Sequence, residues 1–498
     1  RAIRQATGNA SPLLTSPAVL AHRALLAVED GDVVAADEAL AALSAVEDDG
    51  TDARITSLRK LAALHRARLA ADLATAHASD LVEGATPAHL PQGLDADVRV
   101  LVLADRGALR LFEGDHAGAR EDLRSATDLA TAGGLDSVRL YCTTLLAGAY
   151  LAANDDRAAR AAAEDAICFS TRLGWQRTPT MAYSYALGGW ASFQLLEPDT
   201  AADFAAIALD VIDTTIDVEL EGAARAIAAI ISFEDPLQRR VALGRLQRAT
   251  AWLAERGGSP SLAAMLAPHE LRMCLELGEW RLADRCVERA EKRLGHNGDV
   301  AVMQAQLTTA RGRPGDAHRL LGPVLTGELT PLRSTATTAA WLLEALLATR
   351  ADRNPAATEA MLAALDAANG TATLRPFMDA GAEVHLLLAG LVSRSGHLEG
   401  ALHDALTGIK RVIRWQEAAR AAQGDVPGSG GTRTARYLTD RELAFLRELP
   451  SMMTLAEIAE THGVSINTAK THVRSIYTKL GASTRREAIG IGRALELL

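Results

Sequence analysis

At 498 residues with a net charge of −10, the chain is too long for one ordinary core and too acidic overall to bind polyanions along its whole length. Aromatic residues make up only 4%, and alanine-rich runs such as Ala158–Ala163 argue against a β-rich fold. Four cysteines (Cys142, Cys168, Cys274, Cys286) lie far apart without C-x-x-C spacing, no signal peptide is apparent, and no uncharged apolar run reaches ~18 residues, so a disulfide scaffold and a membrane-spanning helix are not expected.

In chain order, a short polar turn with Gly, Asn or Asp recurs between apolar helical segments. It is found at Glu29-Asp30-Gly31-Asp32, Glu113-Gly114-Asp115-His116, Ala153-Asn154-Asp155-Asp156, Leu277-Gly278-Glu279-Trp280, Arg311-Gly312-Arg313-Pro314 and Ser395-Gly396-His397-Leu398. Less regular versions stand at Glu197-Pro198-Asp199, Glu234-Asp235-Pro236 and Ala351-Asp352-Arg353-Asn354, with a weak one near Asp72. The spacing of roughly 34 to 44 residues is that of one helical hairpin per unit. Gly or Asn can end the first helix in a left-handed conformation, and Asp can cap the second. A small residue follows where the helices would cross: Ala119, Ala159, Ala283, Ala317 and Ala401. The pattern resembles degenerate tetratricopeptide repeats from about residue 10 to 415, which implies an all-α superhelical array with a concave binding surface. Six tryptophans (Trp175, Trp190, Trp252, Trp280, Trp341, Trp415) stand out; the sequence does not separate core from ligand contact.

After Ala422 the pattern stops. Residues 423–436, QGDVPGSGGTRTAR, lack an apolar face and read as a flexible tether. The expected organisation is a repeat domain over 1–422, a linker over 423–436 and a small domain over 437–498.

From Arg433 to Leu498 there are ten Lys/Arg against seven Asp/Glu, a net +3 that leaves −13 on the remainder. The basic footprint is therefore confined to the C-terminal end. There, Thr439-Asp440-Arg441-Glu442 and Thr454-Leu455-Ala456-Glu457 are both capping boxes. The first helix points Leu443, Leu446 and Leu449 inward and stops near Pro450. The second buries Ile458 and Ala459 and ends at the Gly463 turn, and Ser465 caps the third. In that third helix Ala469, Val473, Ile476 and Leu480 form one buried stripe. Asn467, Lys470, Thr471 and Arg474 share the opposite polar edge. This is the grammar of a helix-turn-helix, whose second helix enters the DNA major groove. Lys and Arg can donate to guanine, the Thr471 methyl can meet thymine, and Ser465 and Thr468 can donate to phosphate at the helix N-terminus.

Leu438-Thr439, Arg441-Glu442, Ile458-Ala459, Ser465, Thr468, Lys470, His472, Ile476, Lys479-Leu480, Ser483 and Arg485 together resemble the LuxR/GerE-type helix-turn-helix over about 60 residues. Ala469 and Ile466 depart from it, where valine and an acidic residue are usual. The resemblance implies base reading by Lys470, Thr471, Arg474 and Asn467. It implies backbone contact or support by Thr454, Ser465, Thr468, His472 and Lys479, and a structural role for Glu442 and Arg485, with Arg485 holding the fourth helix to Glu442. It also implies a homodimer on double-stranded DNA, RNA polymerase as a further partner, activation, and a bacterial cytoplasmic setting. Leu495 and Leu498 of the fourth helix could serve either the dimer or the core.

A long repeat region before such a domain resembles the maltose-regulon activator class, which also carries an N-terminal P-loop ATPase. No G-x-x-x-x-G-K-[ST] occurs in these 498 residues, and the chain begins at Arg1. Either that module is lacking or Arg1 marks a truncation, and no cofactor is expected in this chain. No metal spacing, nucleophile elbow or carboxylate pair points to an enzyme. Two readings remain. One is a transcription regulator whose array binds a small-molecule or protein effector; the other is an interaction scaffold that its C-terminal domain localises to DNA.

Overall fold

The computed structural model describes residues 33–45, 96–212, 218–255, 258–369, 373–394, 407–414, 416, 438–451, 453–480 and 484–494, with a few isolated positions besides. Among them regular structure is helical throughout. In chain order the helices are α1 (Val33–Ser44), α2 (Ala96–Glu113), α3 (His116–Ala132), α4 (Asp136–Ala152), α5 (Asp156–Arg172), α6 (Pro179–Gln194) and α7 (Pro198–Val211). They continue as α8 (Val218–Ser232), α9 (Arg239–Glu255), α10 (Pro260–Glu276), α11 (Trp280–Leu294), α12 (Gly298–Ala310), α13 (Pro314–Leu325) and α14 (Ser334–Arg350). The last are α15 (Asn354–Asn369), α16 (Arg375–Asp379), α17 (Ala382–Arg394), α18 (Asp440–Glu448), α19 (Leu455–Thr461), α20 (Ile466–Leu480) and α21 (Arg485–Ala494).

The hairpin turns share one backbone solution. A residue with left-handed φ stands at Gly114, Asn154, Leu196, Gly278, Gly312 and Asp352, with φ between 56° and 89°. The amide just after each one donates back to the preceding helix, as Asp115 to Arg110 O, Asp155 to Tyr150 O and Glu279 to Cys274 O. These bonds satisfy carbonyls that a helix end would leave orphaned. Asp115 and Asp155 then cap the next helix by accepting from Gly118 N and Ala158 N, both at 3.0 Å. Five residues beyond each left-handed position stands a buried alanine: Ala119, Ala159, Ala201, Ala283, Ala317 and Ala357. The pairs α2–α3, α4–α5, α12–α13 and α14–α15 close over such positions. An added Leu side chain there would overpack the crossing, at about 1–3 kcal/mol. Between α8 and α9 the solution differs: Asp235 accepts from Leu237 N at 3.0 Å, and no left-handed residue is used. The turns near Asp72, at Glu29–Asp32 and at Ser395–Leu398, together with Ala401, Trp415 and the 423–436 linker, lie outside the described residues.

The chain condenses into two compact units, one of residues 1–191, 202–231 and 244–263, the other of residues 192–201, 232–243 and 264–498. In the first unit α2 to α5 pack in sequence, and α2, α3 and α4 close around Leu103, Ala108, Leu123, Ala126, Leu145 and Ala149. Gly107 lets α2 approach α3 closely, since a Cβ there would stand 2.7 Å from Leu123 Cγ. Asp122, fully buried, accepts Arg106 Nε at 2.8 Å and Nη2 at 2.7 Å, and Arg110 Nη1 at 2.8 Å. Two cations on one buried carboxylate lock α2 to α3.

The second unit is organised around Glu234, at the C-terminal end of α8. Its Oε1 accepts Arg375 Nη2 at 2.6 Å and Arg272 Nη2 at 3.1 Å, and its Oε2 accepts Gln416 Nε2 at 3.0 Å. Arg375 also donates to Asp379 at 2.7 Å and lies 3.9 Å from the Phe193 ring centre. Burial alone would raise the Glu234 carboxyl, but the Arg375 and Arg272 guanidiniums hold it below the ordinary carboxylate range. Against burial, Arg272 and Arg375 likewise bring Asp379 down to about 2.

Two imidazoles sit near this cluster. Burial pushes His385 down to about 4, opposed by its contacts with the Phe377 and Met378 carbonyls. Burial pushes His269 down to about 3, with Asp379 opposing and Arg272 and Arg375 reinforcing. Both rings stay neutral in the folded chain, while the unfolded chain protonates them near pH ~6.5. The unfolded state therefore binds more protons below pH ~6.5, and stability must fall as pH falls. Each imidazole is expected to remove about 2 kcal/mol between pH 6.5 and 5. Thermal melts at the two pH values check this; equal midpoints would overturn it.

Of the tryptophans, Trp190 is buried, Trp252 and Trp341 are half-buried, and Trp175 and Trp280 are exposed. No helix among the described residues is long and apolar enough to cross a membrane.

Candidate nucleic-acid interface

The four C-terminal helices are held by side-chain caps that are readable residue by residue. Thr439 Oγ1 accepts from Glu442 N at 3.3 Å while Glu442 Oε2 accepts from Thr439 N at 2.7 Å. Thr454 and Glu457 repeat the reciprocal pair at 3.4 and 2.6 Å. Gly463, at φ 63°, turns α19 into α20, and Val464 N donates to Ala459 O at 2.9 Å to close the turn. Ser465 Oγ accepts from Thr468 N at 3.1 Å and lies 2.8 Å from Thr468 Oγ1.

Helix α20 buries Ala469, Ile476 and Leu480, and Val473 packs against the same core. Asn467, Lys470, Thr471 and Arg474 are all exposed along one edge. The Thr471 hydroxyl donates to Asn467 O at 3.0 Å, which leaves the methyl as the group free to meet an apolar base edge. The structure thus brings the four base-reading candidates together, and sets Ser465 and Thr468 at the N-terminus of the same helix. Thr454 caps α19 instead, one helix away.

Glu442 is the internal anchor of this domain. It accepts from Lys479 Nζ at 2.7 Å and Ser475 Oγ at 2.6 Å as well as from Thr439 N. Burial would raise this carboxyl, yet Lys479, Ser475 and Thr439 hold it down at about 2. Lys479 is therefore spent on fixing α20 to α18.

Arg485 does not reach Glu442, a correction to the pairing expected from the sequence. Its Nε donates to Leu449 O at 2.8 Å, Nη1 to Met453 O at 3.0 Å and Nη2 to Ser451 O at 2.9 Å. The reason is supply and demand: Glu442 is already satisfied, whereas the end of α18 exposes carbonyls that a planar fork of donors can gather. Arg485→Lys is expected to destabilise the domain by about 2–4 kcal/mol, because one ammonium cannot span three carbonyls. Hydrogen exchange at residues 439–480 of the full chain would register it; unchanged protection would show the fork to be dispensable.

Sequence reasoning missed Phe445. Its ring is fully buried and stacks on His462 at 4.6 Å and on His472 at 4.9 Å, tying α18, the end of α19 and α20 together. His472 thereby takes a supporting position. The available signal was a lone aromatic inside the first helix of an aromatic-poor chain. Leu498 folds back to within reach of Gly492, and Leu495 lies outside the described residues. Among the described residues no cluster of His, Cys, Asp and Glu is arranged to hold a metal ion.

Residues 436–491 match the family described as GerE, bacterial regulatory proteins of the luxR family. No curated protein matches the chain. Among solved structures, a Rap protein complexed with Competence and Sporulation Factor is 10% identical, covers 72% of this chain and 98% of its own, and superposes with a TM-score of 0.51. The apo form of RapI (10% identity, 82% and 99% coverage, TM-score 0.35) and aspartyl phosphate phosphatase F from Bacillus subtilis (10%, 86% and 98%, 0.29) are more distant in shape. The chain thus carries a LuxR-type helix-turn-helix at its C-terminal end, and its helical repeat region resembles the fold of the Rap protein.

Proposed function

We propose that this protein is a sequence-specific transcriptional activator. In this reading residues 437–498 read double-stranded DNA, residues 1–422 bind an effector, and the 423–436 segment joins them. The supporting observation is the exposed edge of Asn467, Lys470, Thr471 and Arg474, on a helix whose pose is fixed by Ser465, Glu442 and Phe445. Base readout needs such donors at the i, i+3, i+4, i+7 positions of a rigid helix. Binding as a homodimer, contact with RNA polymerase, and a bacterial cytoplasmic location belong to the same proposal. The Rap structure with the shared fold holds Competence and Sporulation Factor, and by that likeness the array is the part proposed to take a ligand or protein partner.

The test is electrophoretic retardation of a duplex selected by the full chain from a random-sequence library. Affinity should fall steeply between about 50 and 200 mM salt, as counterions released from the phosphates are recaptured. Failure to select any sequence, or retardation indifferent to salt, would overturn the reading.

A further inference from the structure

Helix α21 does more than complete the helix-turn-helix domain. Its Ala488 and Ile491 are buried, and α17, the last described helix of the repeat region before residue 407, packs along it. One hydrophobic cluster runs without a break from Val384, Leu388 and Leu391 to Ile458, Ile476 and Ile491. A buried alanine stands on each helix, Ala389 on α17 and Ala488 on α21.

Helix α17 is itself firmly held. Gly381, at φ 87°, turns it out of α16, and the buried His385 ring lies 2.9 Å from Phe377 O. Helix α16 is fastened to Glu234 through Arg375. The C-terminal domain is therefore seated on a rigid support. The reading edge stays outside this seat, because Lys470, Thr471 and Arg474 are exposed.

We propose that α17 is an intramolecular dock for α21, and that undocking raises the affinity of the domain for DNA. Two physical effects favour that direction. Docking keeps the 437–498 domain, with eight Lys/Arg against seven Asp/Glu and so only a net +1, within the field of a remainder of net −11, which repels phosphate at distances within a Debye length of ~8 Å. It also withholds the fourth helix from any other surface, a second copy included. The reading edge needs no masking for such control; the seat alone biases the equilibrium.

The inference rests on the DNA-binding reading, and its test separates the two. In the full chain, Leu386→Glu with Leu387→Glu places charge among partly buried side chains of the shared cluster, and Leu386→Ala with Leu387→Ala is the milder form if the first misfolds. Hydrogen exchange reports the dock without DNA: protection of residues 485–494 should fall while that of α14 is kept. Affinity for a long mixed-sequence duplex should then rise about tenfold, a usual size for coupling between sites. Unchanged protection at 485–494 in a folded variant overturns the dock. Lost protection with unchanged duplex affinity overturns its control of binding. If no form binds any duplex, the regulator reading falls, and the exchange measurement alone decides the dock.

Discussion

Replacing Lys470 and Arg474 together by alanine is expected to remove sequence preference while leaving the fold intact. Both side chains are exposed, and neither is among the groups that anchor α20, which are Lys479, Ser475 and the buried stripe. Each base contact of this kind discriminates by about 1–3 kcal/mol, so the pair should cost at least about thirtyfold in the ratio of selected to scrambled duplex. Thr471→Ala should act more narrowly, at the one position where a methyl is read. Fluorescence anisotropy against both duplexes measures the ratio directly. A preserved ratio in the double variant would sink the base-reading assignment. Loss of all duplex binding in Ser465→Ala, by contrast, would place most of the binding energy at the helix N-terminus.

The second large effect is expected at Glu234. Glu234→Ala leaves the Arg272 and Arg375 guanidiniums buried with Asp379 as their shared counterion and only the half-buried Glu276 besides on Arg272, and strips Gln416 of its acceptor. Breaking a buried ion cluster by deleting one member costs about 3–5 kcal/mol. Chemical denaturation should show the stability of the second unit falling by that amount. Adding Arg375→Met should restore part of the loss, since the residual penalty is an uncompensated charge. A midpoint unmoved by Glu234→Ala would mean that the cluster is solvated and contributes nothing net.

What was legible in the sequence was whatever is decided within five residues. The left-handed turn residues and the crossing alanines are legible at Gly114, Asn154, Gly278 and Gly312, and the Asp caps at Asp115 and Asp155, because backbone geometry there depends on local side chains; after Gly278 and Gly312 the N-cap residues Glu279 and Arg313 make no side-chain cap bond. The same holds for the Thr439–Glu442 and Thr454–Glu457 boxes and for the Ala469–Leu480 stripe. At Leu196 and Asp352 the turn was located without its left-handed residue being foreseen. Leucine and aspartate do not advertise that conformation, and in Leu196 its adoption accompanies full burial of the side chain.

Partnerships across the chain were not legible. Nothing in the residues around Glu234 names Arg375 or Gln416 as its partners. The family resemblance pairs Arg485 with Glu442, yet helix-end carbonyls compete for a guanidinium just as well. The seating of α21 on α17 was illegible for the same reason. An apolar helix face announces that it will be covered and not by what.

The reach of the Glu234 cluster has a kinetic meaning. Helical hairpins that touch only their neighbours can start folding anywhere and grow by short closures, which makes such arrays fast. Here Glu234 meets Arg375 across 141 positions and Gln416 across 182. Closing a span that long, in place of one hairpin, adds roughly two doublings of loop length, or about 1.2 kcal/mol of entropy. That contact cannot form before the hairpins between are in place. The second unit should therefore acquire its hairpins early and the Glu234 junction late. Substitutions at Glu234 should then appear mainly in the unfolding rate and hardly in the folding rate. The junction acts as a latch that sets how long the folded array lasts once it has formed.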